Sequence, residues 1–109
     1  METVLDYSAF EKAIKDNDLV FLYVSQPQCS VCQSLLPKVE ELLEGYPKID
    51  SFYLNSMEVP VAAGQLSVFS IPTVILFVQG KEHFRLVRTF GLREINDKID
   101  KVYKHFDSA

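Results

Sequence analysis

Two segments of the chain are almost entirely apolar, at residues 19–24 and 73–78. Continuous apolar runs of this length are typical of strands that are buried on both faces of a sheet. Residues 49–55 alternate between apolar and polar positions, and residues 83–90 alternate in the same way after a Gln-Gly-Lys turn at 79–81. We therefore predict two central strands, an alternating strand between them along the chain, and a hairpin that joins the last two strands.

Helical spacing separates these strands along the sequence. Apolar residues recur every three or four positions between residues 31 and 43 and again between 92 and 106, with charged residues on the opposite side. A capping box of Ser8 and Glu11 predicts the start of a first short helix, and Pro60 predicts the start of another, which reaches about residue 66. The order of helices and strands indicates an α/β fold with a mixed sheet that helices cover on both faces.

Composition excludes several classes of protein. The chain has 109 residues, so we expect a single domain over residues 1–109. Its 11 basic and 15 acidic side chains give a net charge of −4, without the basic stripe of a nucleic-acid-binding protein. No apolar run approaches the roughly 20 residues that span a membrane. The first residues show neither the basic segment nor the cleavage site of a signal peptide, so we expect a cytoplasmic protein.

The two cysteines, Cys29 and Cys32, stand between a predicted buried strand and the first turn of a predicted helix. Unpaired N–H groups and the positive end of the helix dipole favour a thiolate at such a position, and Cys-x-x-Cys spacing has the same effect. Cys29 is therefore predicted to be an exposed nucleophile. Cys32 lies one turn further on, on the apolar face of the helix, and is predicted to be the buried resolving thiol.

Two other interpretations of this pair remain open at this point. Cys-x-x-Cys is also half of a zinc site, but there is no second cysteine pair, and His83 and His105 are far from the cysteines along the chain. We expect no metal and place both histidines on the surface. The second interpretation is a pair of inert cysteines in the core. The Phe and Tyr side chains are spread through strands and helices, so we expect them to be core residues as well.

The joint pattern resembles the thioredoxin family over nearly the whole chain. An apolar strand precedes Cys-Ser-Val-Cys at residues 29–32, and Pro37 follows where thioredoxins carry a proline that kinks the helix. Ile-Pro-Thr at residues 71–73 stands directly before the next apolar strand, and Gly80 and Gly91 match the hairpin turn and the start of the last helix. The resemblance implies the thioredoxin fold, a mixed central sheet of four to five strands with helices on both faces.

The resemblance also implies the activity of a thiol–disulfide oxidoreductase that reduces protein disulfides and serves cell redox homeostasis. Cys29 would attack the substrate disulfide and Cys32 would resolve the mixed disulfide, so the redox group is the Cys29–Cys32 disulfide and no cofactor is expected. The implied reductant is an NADPH-dependent thioredoxin reductase, and we expect a monomer. The Ile71–Pro72 peptide bond is expected to be cis, with the backbone before Pro72 pairing with an extended substrate peptide.

The chain departs from the family around the cysteines. Gln28 replaces the Trp that precedes the first cysteine in thioredoxins, and Ser30 and Val31 replace Gly and Pro between the cysteines. These three residues, with Ile71 and Pro72, are the expected substrate contacts. Unlike proline, Val31 has an N–H, which we expect to act as a donor near the first sulfur and to make the pair more oxidising than that of thioredoxin.

A second departure concerns proton transfer. Tyr23 stands where thioredoxins bury an Asp that helps deprotonate the resolving thiol, and Tyr53 stands in place of the partner Lys. A phenol with a pKa near ~10 is a poor base at neutral pH. Alternative functions are therefore a redox-responsive or structural binding module with this fold, and a glutaredoxin-like enzyme, which the Ile-Pro-Thr sequence disfavours. An oxidase or isomerase role would require an oxidising compartment.

Overall fold

A computed structural model describes residues 1–107, and this part of the chain forms one mixed sheet of five strands with four helices. In chain order the elements are β1 (Glu2–Thr3), α1 (Tyr7–Asp16), β2 (Leu19–Ser25), α2 (Ser30–Leu43), β3 (Asp50–Asn55), α3 (Pro60–Gln65), β4 (Thr73–Val78), β5 (Lys81–Val87) and α4 (Leu92–Asp107). The strand order is β1-β3-β2-β4-β5; β2 is parallel to β3 and antiparallel to β4. The predicted fold class is confirmed.

The central strand β2 is buried over its entire length, as its apolar sequence predicts. Side chains alternate across a strand, so successive residues of β2 enter two different cores. Val20, Leu22 and Val24 pack in the core that includes Phe10 of α1 and residues of α3. The intervening side chains pack in the opposite core, with Val39 of α2 and residues of α4; these are Leu19, Phe21 and Tyr23. None of the helices within residues 1–107 is long and apolar enough to cross a membrane.

The start of α1 differs from the prediction. Asp6 is the N-cap, and its Oδ1 accepts a hydrogen bond of 2.8 Å from the N–H of Ala9. The predicted capping box of Ser8 and Glu11 is therefore wrong, because both residues lie inside the helix. An aspartate caps as well as a serine and also places a negative charge at the positive end of the helix dipole. The two-residue strand β1 is too short for its periodicity to be seen in the sequence.

The β4–β5 hairpin closes through Gln79 and Gly80, with φ angles of +50° and +85°. Positive φ at both central residues is the type I′ geometry, whose twist matches that of the adjoining strands. β5 ends at Val87 and not at residue 90 as predicted. The strand stops there because Arg88 takes a φ of +66° and its N–H donates to the carbonyl of Pro72.

Arg85 of β5 anchors the end of α3. Its Nη1 donates to the carbonyl of Ser67 at 2.9 Å and its Nη2 to the carbonyl of Leu66 at 2.7 Å. The same guanidinium makes a forked ion pair with Glu82. Carbonyls at a helix C-terminus lack hydrogen-bond donors within the helix. Arg85 donates to two such carbonyls from the neighbouring hairpin, and it thereby holds the loop that leads from α3 to Pro72.

We predict that Arg85→Met lowers the free energy of unfolding by about 1–3 kcal/mol, because it removes charge-assisted hydrogen bonds but keeps an apolar stem of similar length. Denaturant unfolding would measure the change. The matched control is Arg93→Met, which removes the same charge from an exposed side chain of α4 and should change stability by less than about 0.5 kcal/mol. Equal effects of the two substitutions would contradict an anchoring role for Arg85.

Candidate active site

The two cysteines lie beyond the carboxyl end of β2, where α2 begins. Cys29 is the N-cap of α2 and Cys32 lies in its first turn. A disulfide joins them, with their Cα atoms 5.2 Å apart. Cys29 is partly exposed, whereas Cys32 is fully buried. A molecule in solution therefore reaches the sulfur of Cys29 and not that of Cys32.

The sulfur of Cys29 acts as the capping acceptor of α2. The N–H of Cys32 donates to this Sγ at 3.2 Å. The donor is thus the third helical residue, which an N-cap side chain commonly reaches. This hydrogen bond comes from Cys32 and not from Val31, the donor that the sequence predicts. The Val31 side chain instead projects outward and is 60% exposed.

Neutral polar groups hold the loop between β2 and Cys29. The Gln26 side chain donates to the hydroxyl of Ser56 at 2.9 Å, which ties this loop to the residue that follows β3. The carbonyl of Gln26 accepts hydrogen bonds from the backbone of Cys29 at 3.1 Å and from the side chain of Gln33 at 3.1 Å. The approach to Cys29 is thus fixed by amide and hydroxyl groups rather than by ion pairs.

Tyr23 lies fully buried beneath the first turn of α2. Its hydroxyl donates a hydrogen bond of 2.7 Å to the carbonyl of Cys32. Its ring stacks on that of Tyr53, its neighbour in the β2–β3 register, with the ring centroids 6.4 Å apart. Burial, and to a smaller extent Tyr53, raises the pKa of Tyr23 to about 12. The phenol is therefore neutral at pH 7. No pattern in the sequence predicts its hydrogen bond to Cys32.

The predicted substrate contacts meet at one edge of the sheet. The Ile71–Pro72 peptide bond is cis. It directly precedes β4, whose first residue pairs with the penultimate residue of β2. Ile71 is partly exposed and Pro72 is buried, whereas Gln28, Ser30 and Val31 are exposed. The structure thus brings all five residues to the edge of the sheet that carries the cysteines.

Phe69 is an exposed aromatic residue that the sequence analysis placed in the core. It lies in the loop before Ile71 and is 87% exposed. It lines a small pocket of about 100 Å³ together with Gln26, Ser56 and Ile71. No signal in the sequence separates it from its neighbour Val68, which lies in the same loop and is buried.

The histidines and carboxylates form no cluster with the cysteines. His83 and His105 are both exposed, as expected. Within residues 1–107 no group of three or more His, Cys, Asp or Glu side chains is placed to hold a metal ion. Charged side chains are likewise missing from the buried residues of this part of the chain. Within residues 1–107 the disulfide therefore has no buried charged side chain beside it.

Comparison with known proteins agrees with this geometry. The family model for thioredoxin matches residues 2–101. The thioredoxin-like protein YdfQ of Bacillus subtilis is 32% identical over 99 residues, which cover 91% of this chain and 88% of that protein. Thioredoxin-1 of Saccharomyces cerevisiae is 32% identical over 80 residues, which cover 73% of this chain and 78% of the yeast protein.

A solved structure extends the comparison to three dimensions. The X-ray structure of Fasciola hepatica thioredoxin has a TM-score of 0.81 and 26% identity, covering 90% of this chain and 98% of the other. The fold and the Cys29–Cys32 disulfide are those of a thiol–disulfide oxidoreductase. This chain belongs to the thioredoxin family.

Proposed function

We propose that this protein reduces protein disulfides, with Cys29 as the nucleophile and Cys32 as the resolving thiol. The observation that carries the proposal is the unequal burial of two cysteines in one disulfide, since Cys29 is partly exposed and Cys32 is fully buried. A large substrate therefore meets Cys29 first. Cys32 reacts only with the sulfur beside it, which is the role of a resolving thiol.

Backbone groups stabilise the attacking thiolate in this proposal. The N–H of Cys32 points at the sulfur of Cys29, and the 14-residue helix α2 directs the positive end of its dipole toward the same atom. The buried residues of the described chain include no ionised side chain, so any charge near this sulfur belongs to exposed side chains such as Lys38, which lines one pocket with Ser30 and Val31.

The exchange transfers two electrons in two steps. The thiolate of Cys29 attacks one sulfur of the substrate disulfide and releases the other as a thiolate, which leaves a mixed disulfide. Cys32 then loses its proton to solvent and attacks the sulfur of Cys29, so that the intramolecular disulfide forms and the substrate leaves with both of its sulfurs reduced. A reductant must afterwards restore the Cys29–Cys32 dithiol.

The proposed partners follow from the family. Protein disulfides are the substrates, and an NADPH-dependent thioredoxin reductase is the reductant. The cysteine pair carries the electrons without a bound cofactor. We propose that the protein works in the cytoplasm as a monomer, through a single domain of residues 1–109.

The surface around Cys29 suits an uncharged, partly apolar substrate segment. Gln28, Ser30 and Val31 are exposed beside the cysteine, and Ile71 is partly exposed at the same edge of the sheet. Gln28 replaces the Trp that contacts substrates in thioredoxins, and Phe69, which is almost fully exposed, provides an aromatic contact surface instead. An exposed aromatic side chain provides a large contact area at a small cost in conformational entropy.

We predict that Cys29→Ser does not speed insulin reduction above the rate with dithiothreitol alone, whereas Cys32→Ser, first reduced and then freed of dithiothreitol, accumulates a mixed disulfide between Cys29 and insulin. The difference arises because only the second variant retains the attacking thiol. Non-reducing gels and mass spectrometry would detect the adduct. The matched control, Ser34→Ala, alters an exposed hydroxyl further along α2 and should leave activity unchanged.

Two results would contradict this mechanism. An adduct in Cys29→Ser would show that Cys32 is the nucleophile. A wild-type protein that reduces insulin neither with dithiothreitol nor with a thioredoxin reductase and NADPH would instead support the alternative of a binding module with this fold.

We further predict that Phe69→Ser raises KM for insulin about three- to tenfold, the effect of losing about 1 kcal/mol of apolar contact. The rate with oxidised glutathione should change less than about twofold, because so small a disulfide does not extend to Phe69. The control Leu5→Ser removes another exposed apolar side chain, which follows β1 and is separated from β2 by β3. If Phe69→Ser impaired the reactions with insulin and with oxidised glutathione to the same extent, the result would indicate damage to the cysteines rather than a lost contact with insulin.

A further inference from the structure

Tyr23 is a fully buried phenol that the proposed exchange leaves without a role. It occupies β2, two residues before the strand ends, and its hydroxyl reaches across to α2. Burying a polar group is costly unless it is hydrogen-bonded, and this hydroxyl makes its bond to the backbone of the buried cysteine.

Both backbone polar groups of Cys32 contact parts of the redox site. Its carbonyl accepts from the hydroxyl of Tyr23 at 2.7 Å, and its N–H donates to the sulfur of Cys29 at 3.2 Å. Two hydrogen bonds thus connect the central strand to the partly exposed sulfur through the backbone of Cys32. The position of this residue is set from β2 and not from α2 alone.

α2 lacks one internal hydrogen bond directly after Cys32. Pro37 lies inside the helix and has no N–H, so it makes no hydrogen bond to the carbonyl of Gln33, which follows Cys32. Tyr23 is itself well fixed, because its ring stacks on Tyr53 in a directly paired position of β3. The hydroxyl of Tyr23 is therefore a rigidly held donor, and it bonds to the residue directly before the missing hydrogen bond of α2.

The surroundings of Tyr23 keep its phenol neutral. The titratable group facing it from β3 is Tyr53, and from α2 it is the cysteine pair. β4 contributes Val74 and Leu76 to the same core, and α4 contributes apolar side chains and Tyr103. Burial raises the pKa of Tyr23 to about 12, so at pH 7 the hydroxyl donates its proton in a hydrogen bond and does not remove one from Cys32.

We propose that Tyr23 is a positioning residue for the resolving step: its hydrogen bond to the carbonyl of Cys32 places the Cys32 sulfur for attack on the mixed disulfide at Cys29. This inference rests on the proposed function only in taking Cys32 as the resolving thiol. The loss of the hydroxyl should therefore slow the attack by Cys32 and leave the attack by Cys29 nearly unchanged.

Oxidised glutathione isolates the two steps without a protein substrate. The thiolate of Cys29 attacks it and releases one glutathione thiolate, which leaves glutathione bound to Cys29 through a disulfide. Cys32 then attacks the sulfur of Cys29, releases the second glutathione as a thiol and closes the intramolecular disulfide. Acid quenching followed by mass spectrometry gives the rate of each step.

The decisive comparison is between Tyr23→Phe and Tyr53→Phe. Each variant loses one hydroxyl and keeps its aromatic ring in the stacked pair, but only Tyr23→Phe loses the hydrogen bond to Cys32. We expect Tyr23→Phe to slow ring closure about three- to tenfold, as for the loss of one buried hydrogen bond. The first step should change less than about twofold, and Tyr53→Phe should match the wild type in both steps.

Two results would overturn the proposal. One is ring closure in Tyr23→Phe at the wild-type rate. The other is a change in the shape of the pH profile of ring closure, which would make Tyr23 a proton acceptor rather than a positioning donor. Insulin reduction is measured separately, so a failure of the proposed function leaves both of these results interpretable.

A measurement on the wild type does not depend on the stability of a variant. NMR of the dithiol and disulfide forms should show the Tyr23 hydroxyl proton protected from exchange with water in both. Rapid exchange of this proton in the dithiol form would show that the hydrogen bond is absent before Cys32 attacks, and would overturn the proposal.

Discussion

The rest of the structure depends on the burial of β2 on both faces. A strand covered by helices on both sides needs apolar side chains at every position, and residues 19–24 supply them. β2 lies in the middle of the sheet, between β3 and β4. Three connections therefore lie close together at the end of β2: the loop that holds the cysteines, the turn that follows β3 and the segment before β4. The active site exists because these three connections meet at the end of one buried strand.

The chemistry of this site relies on backbone groups more than on charged side chains. The partly exposed sulfur accepts a backbone N–H, the buried cysteine is held through its carbonyl, and the approach loop is fixed by amide and hydroxyl groups. Backbone dipoles are fixed by the fold, so they need little reorganisation when the charge on a sulfur changes.

Much of the fold was predictable from sequence because burial on two faces leaves an unmistakable apolar run. The bounds of β4 agree with the prediction, and those of β2 differ by one residue. The positions of Cys29 and Cys32 followed from their place before an amphipathic helix. Features that depend on only one or two residues, such as the capping residue of a helix or a very short strand, were harder to predict. Asp6 and Ser8 are both good capping residues, and β1 is only two residues long.

The details of the site were less predictable because they arise between distant segments. The hydrogen bond from Tyr23 to Cys32 joins β2 to α2, and its existence depends on how closely the helix packs on the sheet. Phe69 is exposed although its neighbour Val68 in the same loop is buried, so position in a loop does not by itself predict exposure. The donor to the sulfur of Cys29 depends on cap geometry, which spacing along the chain does not specify.

The sulfur of Cys29 is both a redox atom and the acceptor that begins α2. A substitution at position 29 can remove the redox function and keep the capping function. Ser, Asp and Asn are good N-cap residues, so a descendant with one of them at position 29 would lose its thiol chemistry and still start the helix at the same place. A descendant with Val or Leu there would lose both. The need to begin α2 therefore does not by itself preserve a thiol at position 29.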